Sequence, residues 1–150
     1  MKNVQSILNR ATRLICSLPL RTPTTPSLIN LHWLPVRARI EFKLCLMTFK
    51  VLKFHEPLYL VGLLSPQTDD LNMALRSSDD PYRLTEPRAV GERPFAARSF
   101  SYMAPRLYNR LPVSLKQLDS VETFKKHLKS FLFSKAYDLV EGVVSDDYRL

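Results

Sequence analysis

At 150 residues the chain is one domain's worth of sequence, and its 45% apolar and 24% charged residues argue against global disorder and for one modest core. Lys and Arg total 22 against 14 Asp and Glu, a net charge of +8 that favours polyanionic partners, nucleic acid first. No run of 18 apolar residues occurs, so no transmembrane helix and no membrane association are expected, and the amphipathic start, in place of an apolar core segment, predicts no secretory signal.

The eleven prolines, against three glycines, divide the chain into short, stiffly joined pieces. Residues 3–18 carry Val4, Ile7, Leu8, Ala11, Leu14, Ile15 and Leu18 at helical spacing, with Arg10 and Arg13 opposite, which predicts an amphipathic helix burying the apolar stripe. Pro19, Pro23 and Pro26 end it, and Thr25–Pro26 has the pattern of an N-cap followed by proline in the first turn, opening a short helix to about Trp33. Pro35 then opens a helix over 36–54. Ile40, Leu44, Met47 and Val51 form one face, Phe42, Cys45, Phe49 and Leu52 cover much of the rest, and only a strip of Arg39, Lys43 and Lys50 is basic. A helix apolar around most of its girth belongs in a core.

Pro57 begins a short helix to about Leu64, and residues 65–80 read as a polar surface loop. The segment 82–100 lacks a helical period; two short strands near 82–86 and 97–101 around Gly91 are expected. Pro105 starts a helical turn to Arg110. Ser120 then caps a last helix over 121–138, with Glu122 in its first turn and Val121, Phe124, Leu128, Leu132 and Leu139 as its buried stripe. The expected fold is therefore mainly α: a small helical domain with a short two-stranded β element near 82–101. Its parts are an N-terminal helix over 1–18, one helical domain over 19–140 and a frayed acidic tail over 141–150.

Catalytic constellations are missing from the sequence. The acidic pairs Asp69–Asp70, Asp79–Asp80 and Asp146–Asp147 lie in loop or tail sequence, and loop acidity explains them better than a two-metal site. His32, His55 and His127 are isolated, with no Cys or His at ligand spacing, so no metal site is expected. Cys16 and Cys45 sit within helical patterns and read as reduced, buried thiols. There is no phosphate-binding glycine loop and no nucleophile elbow, so no cofactor and no small-molecule substrate are expected.

The positive signal is a series of arginines, Arg76, Arg83, Arg88, Arg93, Arg98, Arg106 and Arg110, with no lysine between 76 and 110. Interleaved are Tyr82, Phe95, Phe100, Tyr102 and Tyr108. Guanidinium forks grip phosphates in a bidentate way, and exposed aromatic rings stack on unpaired bases. The bland reading is that the aromatics are core and the arginines only solvate its outer side. On the first reading, Arg76, Arg88, Arg93, Arg98, Arg106 and Arg110 are the candidate nucleic-acid contacts, to RNA or single-stranded DNA.

Four segments stand in a recognisable order: LHWLPVRARIEFKLCLMTFKVL at 31–52, LRSS at 75–78, GERPFAARSFSYMAPRLYNRLP at 91–112 and FKKHLKSFLF at 124–133, preceded by SILNRATRLI at 6–15. Together they resemble the C-terminal tail of a LINE-type (non-LTR, jockey-like) retrotransposon reverse transcriptase, with Tyr108 standing where that family usually has Trp. The family's catalytic Tyr-x-Asp-Asp motif occurs nowhere in the chain, so the resemblance implies a non-enzymatic tail without endonuclease or polymerase. Two expectations follow from it. One is an accessory RNA- or DNA-binding module of RNA-directed DNA synthesis, working inside the cell in the nucleus or cytoplasm. The other is a decayed element fragment with no present activity, or one turned to protein interaction.

Overall fold

The computed structural model describes residues 2–66, 80–87 and 98–137. The chain is mainly helical. In order, the helices are α1 (Lys2–Ile15), α2 (Thr25–Asn30), α3 (Val36–Phe54), α4 (Leu58–Val61), α5 (Phe100–Asn109), α6 (Val113–Lys116) and α7 (Val121–Ala136). None among the described residues is long and apolar enough to cross a membrane. The contacts divide the chain into two compact units, one of Met1–Phe42 with Lys126–Leu150, the other of Lys43–Lys125.

In the first unit Leu28, Leu34, Ala38, Leu128 and Leu132 are buried. Helix α1 does not follow its expected orientation. Val4, Ile7, Leu14 and Ile15, expected inside, are each more than half exposed, while Gln5 and Thr12 are buried. The reason is a polar task. Gln5 Oε1 accepts the N–H of Val36 at 2.9 Å, one of the donors that the first turn of α3 leaves without an intrahelical partner, and its Nε2 donates to Asn9 at 2.9 Å. Thr12 stays satisfied by donating to the carbonyl of Leu8. Gln5 and Thr12 thus face inward beside half-buried Leu8 and Ala11, while Arg10 stays exposed.

With few glycines available, three helices are closed by other residues in the left-handed region: Ser17 (φ 50°), His32 (φ 51°) and His55 (φ 56°). After α2, the N–H of Trp33 bonds the carbonyl of Leu28 and that of His32 bonds Ile29, the paired pattern of a Schellman cap with His32 at its left-handed position. After α1, Leu18 and Ser17 repeat it on Arg13 and Leu14. Helix α2 begins one residue earlier than expected, with Thr24 as its N-cap and no side-chain hydrogen bond there.

In the second unit Phe49 and Phe124, both fully buried, stack with centroids 4.0 Å apart and planes 8° from parallel. Cys45, Leu46, Val51, Leu60, Leu64, Leu84, Ala104, Leu107, Tyr108, Leu111 and Leu115 complete its core. Helix α3 has its expected bounds; of its two apolar sets Cys45, Phe49 and Val51 are buried, with Thr48 between them, while Leu44 and Met47 are half-buried and Ile40 is 39% exposed. Neither cysteine is in a disulfide; Cys45 is buried and Cys16 half-buried.

The expected pairing of 82–86 with 97–101 is not formed by the described residues. Leu84 forms an isolated antiparallel bridge with Pro66, not with the segment near 97–101, and Phe100 already begins α5. Residues 88–97 lie outside the described residues. Pro105 does not start a helical turn but sits inside α5. Its ring removes one intrahelical hydrogen bond. The buried series Ala104, Leu107, Tyr108 and Leu111, at i, i+3, i+4 and i+7, supplies the apolar contact that keeps the helix continuous across it. In place of a second strand, Asn109 satisfies Leu84: its Oδ1 accepts the Leu84 N–H and its Nδ2 donates to the Leu84 carbonyl, both at 2.9 Å.

Candidate nucleic-acid interface

Helix α5 and its flanks carry Arg98, Tyr102, Arg106 and Arg110 at intervals of four residues. Within a helix that spacing puts side chains on one face, and each step advances about 6 Å along the axis. Arg98 and Arg110 are exposed, and Tyr102 and Arg106 are half-buried. The opposite side of the helix, with Ala104, Leu107 and Tyr108, faces the core of the second unit. Burial of α5 thus fixes its rotation and leaves Tyr102 and Arg106 on its half-exposed side.

Arg106 is the most constrained member. Its guanidinium carbon lies 4.2 Å from the Tyr102 ring centroid, and its Nε is 3.7 Å from Glu86 Oε2, beyond hydrogen-bond distance. That Nε is buried and makes no hydrogen bond. The Tyr102 ring gives the guanidinium a cation–π contact while the side chain as a whole stays 39% exposed. Glu86 is itself held by Asn109 Nδ2 at 3.1 Å, so one carboxylate stands at the edge of an otherwise cationic stripe.

Of the six arginines expected to contact nucleic acid, Arg76, Arg88 and Arg93 lie outside the described residues. Arg98, Arg106 and Arg110 are brought onto α5 and its ends. The aromatic rings divide. Tyr108 is 1% exposed, with Lys116 Nζ 5.5 Å from its ring, and belongs to the core. Burial raises its phenol pKa well above the ordinary range, with Cys45 and Asp80 adding to the effect. Tyr82 is half-buried, with Lys53 Nζ 5.8 Å from its centroid. Tyr102 is the aromatic member of the α5 stripe, and Arg106 already covers one side of it.

Asp80 has a structural role. Its Oδ1 accepts the N–H of Tyr82 at 3.0 Å, and its Oδ2 pairs with Lys116, an ammonium that is fully buried and also donates to the Asn109 carbonyl at 3.3 Å. No group of His, Cys, Asp or Glu among the described residues is arranged to hold a metal ion.

A second aromatic and basic cluster, which the sequence reading did not single out, lies in the first unit. It is formed by His32, Trp33, Leu34, Arg39 and Phe42 with Lys129. The first five are close in sequence, but Lys129 is about ninety residues away, so spacing alone could not have joined them.

No family model, no curated protein and no solved structure matches the chain.

Proposed function

We propose that the chain is a non-catalytic accessory module that binds single-stranded RNA or DNA, descended from the C-terminal tail of a LINE-type reverse transcriptase. The observation that carries the binding part is the series Arg98, Tyr102, Arg106 and Arg110 along α5 and its two ends, with Arg98 and Arg110 exposed, in a chain of net charge +8. Two exposed guanidinium groups can each take a phosphate, and Arg106 between them lies against the Tyr102 ring. The descent rests on the order of the sequence segments named above. Lack of the Tyr-x-Asp-Asp motif supports the non-enzymatic part, and RNA-directed DNA synthesis, in the nucleus or cytoplasm, is the process in which such a module would serve.

The test is a salt titration of a labelled single-stranded octanucleotide, read by fluorescence anisotropy. Each phosphate contact contributes a log–log slope of about −0.7 on single strands. Replacing Arg98 and Arg110 together by Gln should therefore flatten the slope by roughly 1.4 units. The Lys125→Gln/Lys126→Gln pair should do less, since Lys125 is already paired with Glu122 at 2.6 Å. Absence of binding at low salt, or an unchanged slope in the arginine double variant, overturns the assignment to α5. Primer extension on an RNA template by the purified chain would overturn the non-enzymatic reading.

A further inference from the structure

The hollow in the first unit has a volume of about 240 Å³ and is lined by His32, Trp33, Leu34, Arg39, Phe42 and Lys129. Sites for drug-sized ligands run roughly 300–1,000 Å³, so this one suits a smaller planar group. Its walls combine two large ring systems, Trp33 and Phe42, with two basic side chains, Arg39 and Lys129, and its lining contains no carboxylate.

Several interactions hold the walls in place. The Schellman cap of α2 puts His32 at its left-handed position, and its ring stacks on Phe133 with centroids 5.5 Å apart. The Tyr137 hydroxyl donates to the Trp33 carbonyl at 2.5 Å. Arg39 Nε donates to the Leu34 carbonyl at 2.8 Å, and its guanidinium carbon lies 5.7 Å from the Trp33 ring centroid. That single backbone bond leaves the terminal nitrogens of Arg39 without a hydrogen bond among the described residues. Lys129 likewise forms no ion pair among them; Glu41 lies within 4 Å of Arg37 and Lys135 instead. Two exposed cations beside the half-buried rings of Trp33 and Phe42 suit an anionic, aromatic ligand.

We propose that this hollow takes one unpaired base of a single-stranded nucleic acid, stacked on Trp33 or Phe42, with the adjoining phosphate on Arg39 and Lys129. The proposal rests on the nucleic-acid reading above and gives it a base-stacking subsite that the α5 stripe lacks. Base stacking on an aromatic ring tolerates any sequence, because every base has a π-face. The site therefore predicts weak base preference and strong salt dependence.

Trp33 is the only tryptophan in the chain, so its emission reports on the hollow directly. The experiment titrates the full chain with octauridylate, with the matching deoxyoligonucleotide and with inorganic polyphosphate at low salt, following Trp33 emission and, in parallel, anisotropy of labelled strands. Quenching by both oligonucleotides but not by polyphosphate is the expected result. Lys129→Ala, at an exposed site, should weaken binding about threefold or more, and Arg39→Ala roughly tenfold, in keeping with charge-assisted hydrogen bonds. Far-UV circular dichroism checks that each variant still folds. Oligonucleotides that bind by anisotropy yet leave Trp33 emission unchanged, or polyphosphate that quenches equally, would remove the subsite and leave the nucleic-acid reading standing. Binding that survives the Arg98/Arg110 replacement but falls in Lys129→Ala would support the subsite and remove the α5 surface. Failure of any strand to bind would end both.

Discussion

The buried pair of Lys116 and Asp80 offers a sharp test of how the second unit is held together. The Lys116 side chain is fully buried, whereas that of Asp80 is 18% exposed, so the two partners differ in what happens when either loses the other. Lys116→Met removes the ammonium and keeps most of its volume. Asp80 is then left with the Tyr82 N–H and with water at its exposed edge, and the expected cost is about 1–2 kcal/mol. Asp80→Asn instead strands an ammonium with no access to solvent, its remaining partners being a neutral amide oxygen and the Asn109 carbonyl at 3.3 Å. Breaking a buried pair in this way costs about 3–5 kcal/mol. The double variant, in which neither charge remains, should be more stable than Asp80→Asn alone. Urea unfolding of the four proteins, followed by far-UV circular dichroism, measures all three differences. If Lys116→Met proves the more damaging single change, or if the double variant is no better than Asp80→Asn, the ammonium is not sequestered as described.

Four further outcomes are expected. Leu128→Ala, at a fully buried site, should cost about 2–5 kcal/mol, and Leu44→Ala, at a half-buried one, clearly less; equal losses in a denaturant titration would contradict the packing. Ile7→Ser and Leu14→Ser should each change stability by no more than about 0.5 kcal/mol, because both side chains are exposed, whereas Gln5→Ala should cost about 1 kcal/mol by uncapping Val36. His55→Gly should raise stability by about 1 kcal/mol, since φ is 56° there and only glycine adopts that region freely; a lower urea midpoint would argue against it. Tyr137→Phe tests a pH effect. Burial, opposed in part by Arg39, raises the Tyr137 phenol to about 12 from its ordinary 10.0, so the folded state holds this proton more tightly than the unfolded chain. Its contribution is complete below pH 10.0 and is lost as pH rises towards 12, so the urea midpoint of the native protein should fall faster across that window than that of the variant.

The helices at 36–54 and near 121–138 were legible in the sequence because their signals are local. Proline and serine mark their starts, and apolar residues recur at helical spacing through their length. The series Phe124, Leu128 and Leu132 is buried as its spacing implied. Helix α5 was partly hidden, because Pro105 reads as a helix start when propensity alone is considered. The buried series from Ala104 to Leu111 outweighs the one hydrogen bond that the proline removes.

What the sequence determined by itself is the helical class, the excess of positive charge and the lack of a polymerase motif, since these depend on composition and on neighbours within one or two turns. Tertiary structure decided which side of each helix is buried. Helix α1 has the clearest apolar stripe in the chain, yet Val4, Ile7, Leu14 and Ile15 of it are exposed and Gln5 is buried, capping a helix that begins thirty-one residues later. No periodicity records that bond. Leu84 likewise finds its partners in Pro66 and Asn109 rather than in a second strand, and Lys129 joins the Trp33 hollow from about ninety residues away. A hydrophobic pattern states which face can be buried at least cost. Which face is buried depends on the polar groups that other segments leave unsatisfied, and those become visible only when the chain is folded.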